Sequence, residues 1–221
     1  IPRAYSVLGV LQVVDGRYDE AIASARKAVS LGPNSADAYV NLAIVLMFSG
    51  RPDEALAAME TALRLNPRPF SGVYGYYGAV LFMNRQYEKA IEPLEKARES
   101  SYLARQHLAM AYAQLGRLDD AKVEIDSLLK AVPEDCLSFY RIYYAHHKRE
   151  ADRAHMIEAL RKAGLPEWPF GYEGRAEDRL DGSALKTLTL GRTWIGHTSA
   201  GLQFIQEIGT DGKFAFRCTR S

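Results

Sequence analysis

The sequence predicts a mainly α-helical protein: a superhelix of about five helix-turn-helix units, followed by a small antiparallel β appendage. Three observations support this fold class. Two amphipathic helical patterns fill residues 36–67, with Gly50 between them and Pro67 after them. The same arrangement recurs on both sides of that stretch at a spacing of about 34 residues. From Gly191 onward, the hydrophobic period changes to the period of two that is typical of strands.

The unit at 36–70 shows why these residue types form a helical hairpin. Its first helix is expected over about residues 36–49. Apolar residues spaced i, i+3, i+4 and i+7 form one face of that helix: Tyr39, Leu42, Ala43 and Leu46. Gly50 ends it because glycine adopts positive φ without steric cost. The second helix begins near Pro52, whose missing N–H is tolerated in a first turn. Its inner stripe consists of Ala55, Met59 and Ala62.

A single hairpin cannot bury its own apolar faces, so such units must stack. The sequence contains five of them, over residues 2–35, 36–70, 71–101, 102–134 and, in degenerate form, 135–166. About three residues are missing before the fourth unit, near 99–102, and we expect a tighter step there. The alternative is a generic helical bundle.

The recurring residues resemble those of the tetratricopeptide repeat family over about three quarters of the chain. In the second unit they are Tyr39, Leu42, Ala43, Leu46, Gly50, Ala55, Met59, Ala62 and Pro67. The resemblance implies a right-handed superhelix over residues 1–166. In that superhelix, positions 2, 5, 9 and 12 of each first helix line a concave groove. The resemblance also implies a scaffold for protein–protein interaction.

Most of these groove positions are apolar, and an exposed apolar stripe of that length indicates an interaction surface. The predicted partner-binding residues are Val10, Val13, Val40, Asn41, Ile44, Met47, Gly72, Gly75, Phe82, Gln106, Met110, Phe139 and Tyr143. We expect a protein or peptide as the partner, bound as an amphipathic helix or an extended apolar segment. The chain itself is the alternative occupant. Gly72 and Gly75 are expected to leave a bare backbone floor for a ligand side chain, unless tight packing merely tolerates them.

Some family members hold an acidic C-terminal peptide in a carboxylate clamp of Lys, Asn and Arg side chains. By position, only Asn41 matches that clamp. The other clamp positions hold Ser6, Val10, Gly72 and Tyr76. The resemblance therefore argues against an acidic C-terminal peptide as the ligand.

The composition argues against several other classes of protein. Lys+Arg number 28 and Asp+Glu 27, so we expect no broad attraction to nucleic acid or to an anionic membrane. A run of about 18 apolar residues and a signal peptide are both lacking, so we expect a cytoplasmic protein. Cys136 and Cys218 are expected to be free thiols. Because Ile1 already falls within a repeat, we expect the chain to be a fragment of a longer protein.

Residues with catalytic potential are few, and we expect no enzyme activity, cofactor or metal site. His146 and His147 are neighbours on an expected helix, so their rings diverge by about 100° and cannot bind one metal together. The basic stretch 146–153 is expected to be a solvated helix face. Paired acids recur at the starts of second helices, where the helix dipole favours them. These pairs are Asp19–Glu20, Asp53–Glu54 and Asp119–Asp120.

The pattern changes after Pro166. Residues 167–182 are predicted to form an aromatic and charged linker, and residues 183–221 a short helix through Leu188 plus three strands. The strands are expected over 193–198, 202–208 and 213–219. Three strands bury little surface, and an unpaired edge invites pairing with another chain. We expect the third strand either to pack on the linker aromatics or to form a dimer with a second copy. Those aromatics are Trp168, Phe170 and Tyr172.

Two short segments carry a further resemblance. Residues 159–167 and 190–194 are similar to the C-terminal region of bacterial multidomain proteins. In those proteins an adenylate/guanylate cyclase domain precedes tetratricopeptide repeats. The resemblance implies, as an alternative function, a regulatory or docking region of such a signalling protein.

Overall fold

The computed structural model describes residues 2–169, 192–197, 203–208 and 214–219, and the chain divides into two compact units, Ile1–Gly171 and Tyr172–Ser221. The helices described in the first unit are α1 Pro2–Val14, α2 Tyr18–Leu31, α3 Ala36–Phe48, α4 Pro52–Leu65, α5 Ser71–Met83, α6 Tyr87–Ala97, α7 Tyr102–Gln114, α8 Leu118–Ala131, α9 Leu137–Tyr143 and α10 Glu150–Lys162. Consecutive helices contact each other in five pairs, which confirms the predicted helical repeat array. Among the described helices, none has the length and hydropathy that a membrane span requires.

A residue with a left-handed backbone conformation follows the first helix of each of the first four pairs. Gly16, Gly50 and Gly116 follow α1, α3 and α7 with φ of 74°, 73° and 77°. At the equivalent place after α5, Arg85 has a φ of 61°. This conformation is unfavourable for a residue with a Cβ, so the third hairpin stores some strain that the others avoid.

Helix starts follow two different rules. Ser35 and Ser101 cap α3 and α7, where each hydroxyl oxygen accepts a hydrogen bond of 3.2 Å from the backbone N–H three residues later. The second helices α2, α4 and α8 have no capping side chain. Their first turns contain the predicted pairs of acids, and the second acid of each pair forms an ion pair with a preceding arginine. These ion pairs are Arg17–Glu20, Arg51–Glu54 and Arg117–Asp120.

Small residues at the eighth position of each of the first four units allow the two helices of a pair to approach closely. These residues are Gly9, Ala43, Gly78 and Ala109. A Cβ on Gly78 would lie 2.3 Å from the Cγ of Leu94, and a Cβ on Gly9 would lie 3.0 Å from the carbonyl oxygen of Ala21. The facing residue Ala55 of α4 is fully buried. Larger residues at these contacts would force the helices apart.

The three missing residues are taken from a helix, not from a connection. Helix α6 has 11 residues, whereas α2, α4 and α8 have 14 each. The connection 98–101 is as long as the connection 32–35 after α2. Its Arg98 and the nearby Arg105 both contact the buried carboxylate of Glu124, at 3.2 and 3.4 Å. Whether this step is tighter than the others stays a prediction, as does the right-handed path.

The fifth pair departs from the pattern, and the predicted solvated helix face at 146–153 is only partly correct. Residues 148–151 are exposed and α10 begins at Glu150, but His147 and Asp152 are buried. Helix α9 has seven residues and continues into a 3-10 helix, Tyr144–His146, before α10 begins. The backbone between these two helices forms hydrogen bonds with other parts of the chain. The N–H of Lys148 donates to the carbonyl oxygen of Phe48 at 2.8 Å. An Nη1–H of Arg153 donates to the carbonyl oxygen of His147 at 2.6 Å.

In the second unit, the described residues form three strands: β1 Arg192–His197, β2 Gln203–Ile208 and β3 Phe214–Thr219. They pair antiparallel in the order β1-β2-β3, and Gln206 aligns with Trp194 on one side and Phe216 on the other. These strands overlap the three expected ranges. The expected helix through Leu188, the turns, and most of the linker lie outside the described residues.

Candidate functional site

The predicted groove positions fall along two edges. Positions 2 and 5 lie near the starts of the first helices, and positions 9 and 12 lie nearer their ends. In the first four units, the position-12 residues are all buried: Val13, Met47, Phe82 and Ala113. At position 9, Val10 and Ile44 are partly exposed, whereas Ala79 and Met110 are fully buried. The edge at the helix ends is therefore closed.

Residues 144–155, which we call the covering segment, contact this closed edge. The ring of His147 lies 4.4 Å from that of Phe48, centroid to centroid, at the end of α3. The side-chain carbons of Arg149 cover Gly50, because a Cβ at that glycine would lie 2.4 Å from the Cδ of Arg149. The backbone bond from Lys148 to Phe48 holds the two stretches together.

The covering segment reaches the first and third units as well. The hydroxyl of Tyr18 donates to the carbonyl oxygen of His146 at 3.1 Å. The ring of His155 stacks on Phe82, with centroids 5.0 Å apart and an interplanar angle of 21°. The Nε2 of His155 lies 3.3 Å from the hydroxyl of Tyr87. The chain itself thus occupies one edge of the predicted groove, the occupant that the sequence left as an alternative.

The other edge is open, and we call it the open groove. It is a cavity of about 660 Å³ between α1, α3 and α5, lined mainly by residues of their first halves and by Ile44 farther along α3. Its apolar lining consists of Val7, Val40, Ile44, Phe70, Val73 and Tyr76. Arg3 and Asp37 are exposed charges at its rim. A cavity of this size and lining falls in the range of ordinary ligand sites.

Helix α9 has exposed aromatic residues, which lie outside the lining of the open groove. Phe139 and Tyr143 stack with ring centroids 6.0 Å apart, and each is 49% exposed. Burial raises the pKa of Tyr76, and the nearby Tyr143 hydroxyl raises it further. Tyr143 of α9 is therefore near Tyr76, one of the residues of α5 that line the open groove. Ile142 of the same helix is 75% exposed.

Asn41 is the one clamp-like residue, and it belongs to the open groove. Its Nδ2 donates to the carbonyl oxygen of Asp37 at 2.7 Å. This bond uses one of the two amide hydrogens and leaves the other hydrogen and the carbonyl oxygen available. Gln106, by contrast, is 3% exposed and offers no surface to a partner.

The structure separates the predicted site residues into two groups. Those with exposed surface are Val10, Val40, Asn41, Ile44, Gly72, Phe139 and Tyr143. Those that are buried are Val13, Met47, Gly75, Phe82, Gln106 and Met110. Each of the buried side chains is held against neighbouring helices or under the covering segment. In this conformation they cannot contact an external ligand.

The interpretation of the glycines as a bare floor requires a correction. A Cβ at Gly75 would lie 3.3 Å from the Oγ of Ser101 and 3.4 Å from the Cβ of Ala104, so Gly75 packs against the next unit. A Cβ at Gly72 would lie 2.6 Å from the Cε2 of Phe70, an exposed ring at the rim. Both glycines accommodate neighbouring side chains of the chain itself.

Two kinds of residue were not predicted from the sequence. Val73 and Tyr76 line the open groove although they do not occupy the family's four groove positions, and their apolar i, i+3 spacing was the available signal. His147 and His155 were not predicted as contact residues, because no local pattern indicates which distant side chains they meet. Among the described residues, no group of three His, Cys, Asp or Glu side chains is placed to hold a metal ion. Cys136 is a buried free thiol.

The helix pairs and the groove define a helical-repeat scaffold. A family model described as Tetratricopeptide repeat matches residues 15–71 and 81–140, and a second with the same description matches residues 2–27. The chain therefore belongs to the tetratricopeptide repeat family. Repeats of this family typically mediate protein–peptide binding. Among curated proteins, no sequence matches the chain.

Several solved structures share the fold. PilF from Pseudomonas aeruginosa is 24% identical, with a TM-score of 0.55 and coverage of 74% of this chain and 76% of that chain. TTC0263 from Thermus thermophilus is 26% identical, with a TM-score of 0.53 and coverage of 66% and 80%. YrrB, described as having an unusual peptide-binding site, is 26% identical, with a TM-score of 0.50 and coverage of 72% and 82%. These comparisons give no support to the cyclase resemblance.

Proposed function

We propose that the chain binds an amphipathic helix of a partner protein in the open groove, with the apolar face of that helix against α1, α3 and α5. The observation that carries this proposal is the partly exposed apolar lining around Val40, Ile44 and Tyr76. A concave cavity of ordinary ligand-site size with a mainly apolar lining and a few polar groups at its edge is typical of a binding site. The peptide-binding site attributed to YrrB, a structural relative, supports the same class of function.

A helix suits this groove better than an extended strand. The walls are helices whose backbone groups already bond within each helix, so they offer a strand no free row of N–H and C=O groups. A helix satisfies its own backbone and needs only side-chain contacts. The exposed rings of Phe139 and Tyr143 extend the apolar surface for residues on the same face of the ligand.

The rim favours a partner with charges of both signs. Arg3 and Asp37 lie at the rim of the same cavity. They select for an acid and a base that flank the apolar stripe of the ligand, not for a strongly acidic or basic peptide. The spare hydrogen-bonding capacity of Asn41 can bind a polar side chain at the boundary.

The proposal is tested with a helical peptide selected from a displayed library against the wild-type chain. Ile44→Glu should weaken binding of that peptide at least about tenfold, because the ligand must bury the new charge. The matched control is Val123→Glu, which makes the same kind of change on α8 at a residue that is 63% exposed and outside the groove. Fluorescence anisotropy of the labelled peptide measures both affinities. Equal affinities for the two variants, or enrichment of no peptide, would contradict the proposal.

A further inference from the structure

Histidine rings form much of the contact between the covering segment and the repeats. His147 is 4% exposed and lies 4.4 Å from the ring of Phe48. His155 stacks on one side of Phe82 at 5.0 Å. The edge of Phe82 also meets His107 of α7 at a centroid distance of 5.7 Å and an angle of 86°. These imidazoles act as neutral aromatic surfaces in an apolar contact.

The ionisable groups that act on these rings would oppose a further positive charge. They are Arg153, His146 and His107 on His147, and Arg85 on His155. The Nδ1 of His107 lies 2.9 Å from the carbonyl oxygen of Leu103, so it is bonded within its own helix. None of these three rings has an ion pair with a carboxylate among the described residues.

The remaining charges of the covering segment are engaged elsewhere. The Nε of Arg149 lies 3.8 Å from Oδ2 of Asp152, which is itself 5% exposed. The Nζ of Lys148 lies 3.7 Å from Oδ1 of Asp19 and 5.5 Å from the ring centroid of Tyr18. Protonation of the rings therefore gains no compensating salt bridge while the segment stays in place.

Unpaired polar atoms weaken the same contact. Within the described residues, the buried side-chain atoms without a hydrogen-bond partner are Nε2 of Gln106, the hydroxyl of Tyr144, Nδ1 of His147 and Oδ2 of Asp152. Three of them belong to the covering segment, and Gln106 lies next to Tyr144. Oδ2 of Asp152 has only the ion pair with Arg149 at 3.8 Å, and the other atoms have lost water without gaining a hydrogen-bond partner. These unmade hydrogen bonds destabilise the docked state relative to a detached, hydrated one.

We propose that the covering segment, residues 144–155, is a plug on the closed edge of the groove that is released by acid: protonation of His147 and His155 detaches it from Phe48 and Phe82 and opens that edge. The plug regulates access to the concave face. Its release is a property of the isolated chain and is measurable whether or not the proposed helix binds in the open groove.

The direction of the pH dependence follows from the histidine pKa values. Burial lowers the pKa of His147 to about 3 and that of His155 to about 4, from an ordinary value of 6.5. Burial also lowers the pKa of His107, which the segment helps to cover, to about 4. A detached, hydrated ring therefore binds a proton at a pH at which the docked ring does not. Docking is fully stable above about pH 6.5 and weakens as the pH falls toward 4.

Hydrogen exchange measured by mass spectrometry at about pH 7.5 and about pH 5 tests the plug, with rates corrected for the intrinsic effect of pH. Amides of α10 should lose protection by up to about 1,000-fold at the lower pH, about 30-fold for each of two rings. Amides of α4, which does not depend on the segment, should keep theirs. Unchanged protection in α10 would contradict the proposal. A parallel loss in α4 and α10 would also contradict it, because the whole array would then unfold together.

The double variant His147→Phe/His155→Phe keeps an aromatic ring at both positions, but these rings cannot be protonated. Its α10 amides should stay protected at about pH 5. His146→Phe is the matched control, since it removes a neighbouring imidazole that is outside both ring contacts, and it should lose protection as the wild type does. Equal acid sensitivity in the double variant and the wild type would overturn the assignment to these histidines. If the double variant does not fold, the comparison of α10 with α4 in the wild-type chain still decides whether acid releases the covering segment.

Discussion

The first four helix pairs and the fifth pair are fixed in place by different kinds of contact. In α1–α8, each pair closes through small residues, such as Gly78 against Leu94, at positions that repeat along the sequence. The fifth pair packs α10 against α7 and is also held through the covering segment, whose partners Tyr18, Phe48 and Phe82 belong to the first three units. A repeating local pattern thus builds the array, whereas individual aromatic contacts far apart in sequence close one edge of its groove.

A truncation in each region should separate these two modes of attachment. Leu94→Ala, in α6, should lower the free energy of unfolding by about 2–5 kcal/mol, because it removes a fully buried side chain that fills the space over Gly78. Denaturant unfolding followed by circular dichroism measures this. Met156→Ala, at an equally buried site in α10, should instead reduce hydrogen-exchange protection in α10 and leave α2–α6 protected. A loss of protection across the whole array for Met156→Ala would erase the distinction between the regions.

A smaller effect is expected when a close contact within the array is overpacked. Ala55 of α4 is fully buried, so Ala55→Leu should cost about 1–3 kcal/mol of unfolding free energy. Ala57→Leu, two residues along the same helix at an exposed position, should change it by less than about 0.5 kcal/mol. Thermal and denaturant unfolding of both variants provide the comparison. Equal stabilities would mean that the assigned register of the repeats is wrong.

The regular part of the fold was predictable because its determinants are local. The spacing of apolar residues, Gly50 and Pro52 place α3 and α4 within about a residue of their predicted bounds. The same holds for the paired acids in the first turns of the second helices. These signals act within a few residues of each other, so the sequence pattern alone contains them.

The fifth pair could not be predicted from local signals. Nothing in the spacing of residues 144–155 indicates that the backbone of Lys148 bonds to Phe48, about a hundred residues earlier. That bond and the ring contacts end α9 early and place His147 in the interior. The expectation of a solvated helix face at 146–153 rests on charge and periodicity, but burial there depends on a distant partner.

The candidate site divides along the same line. Val40, Asn41 and Ile44 face away from the covering segment. They line the open groove, as the repeat pattern predicted. Positions at the helix ends, such as Met47 and Phe82, share the family's groove pattern but are covered. A repeat pattern specifies which face of a helix is concave. It does not specify what lies against that face.

Side-chain labelling of two phenylalanines tests the central claim, that the chain closes one edge of its own groove and leaves the other open. Phe82 and Phe139 were both predicted groove residues, but Phe82 is fully buried and Phe139 is 49% exposed. Because the two residues are chemically identical, their rates of hydroxyl-radical modification at about pH 7.5 report exposure directly. The account predicts rapid modification of Phe139 and strong protection of Phe82. Equal modification of both rings would contradict it.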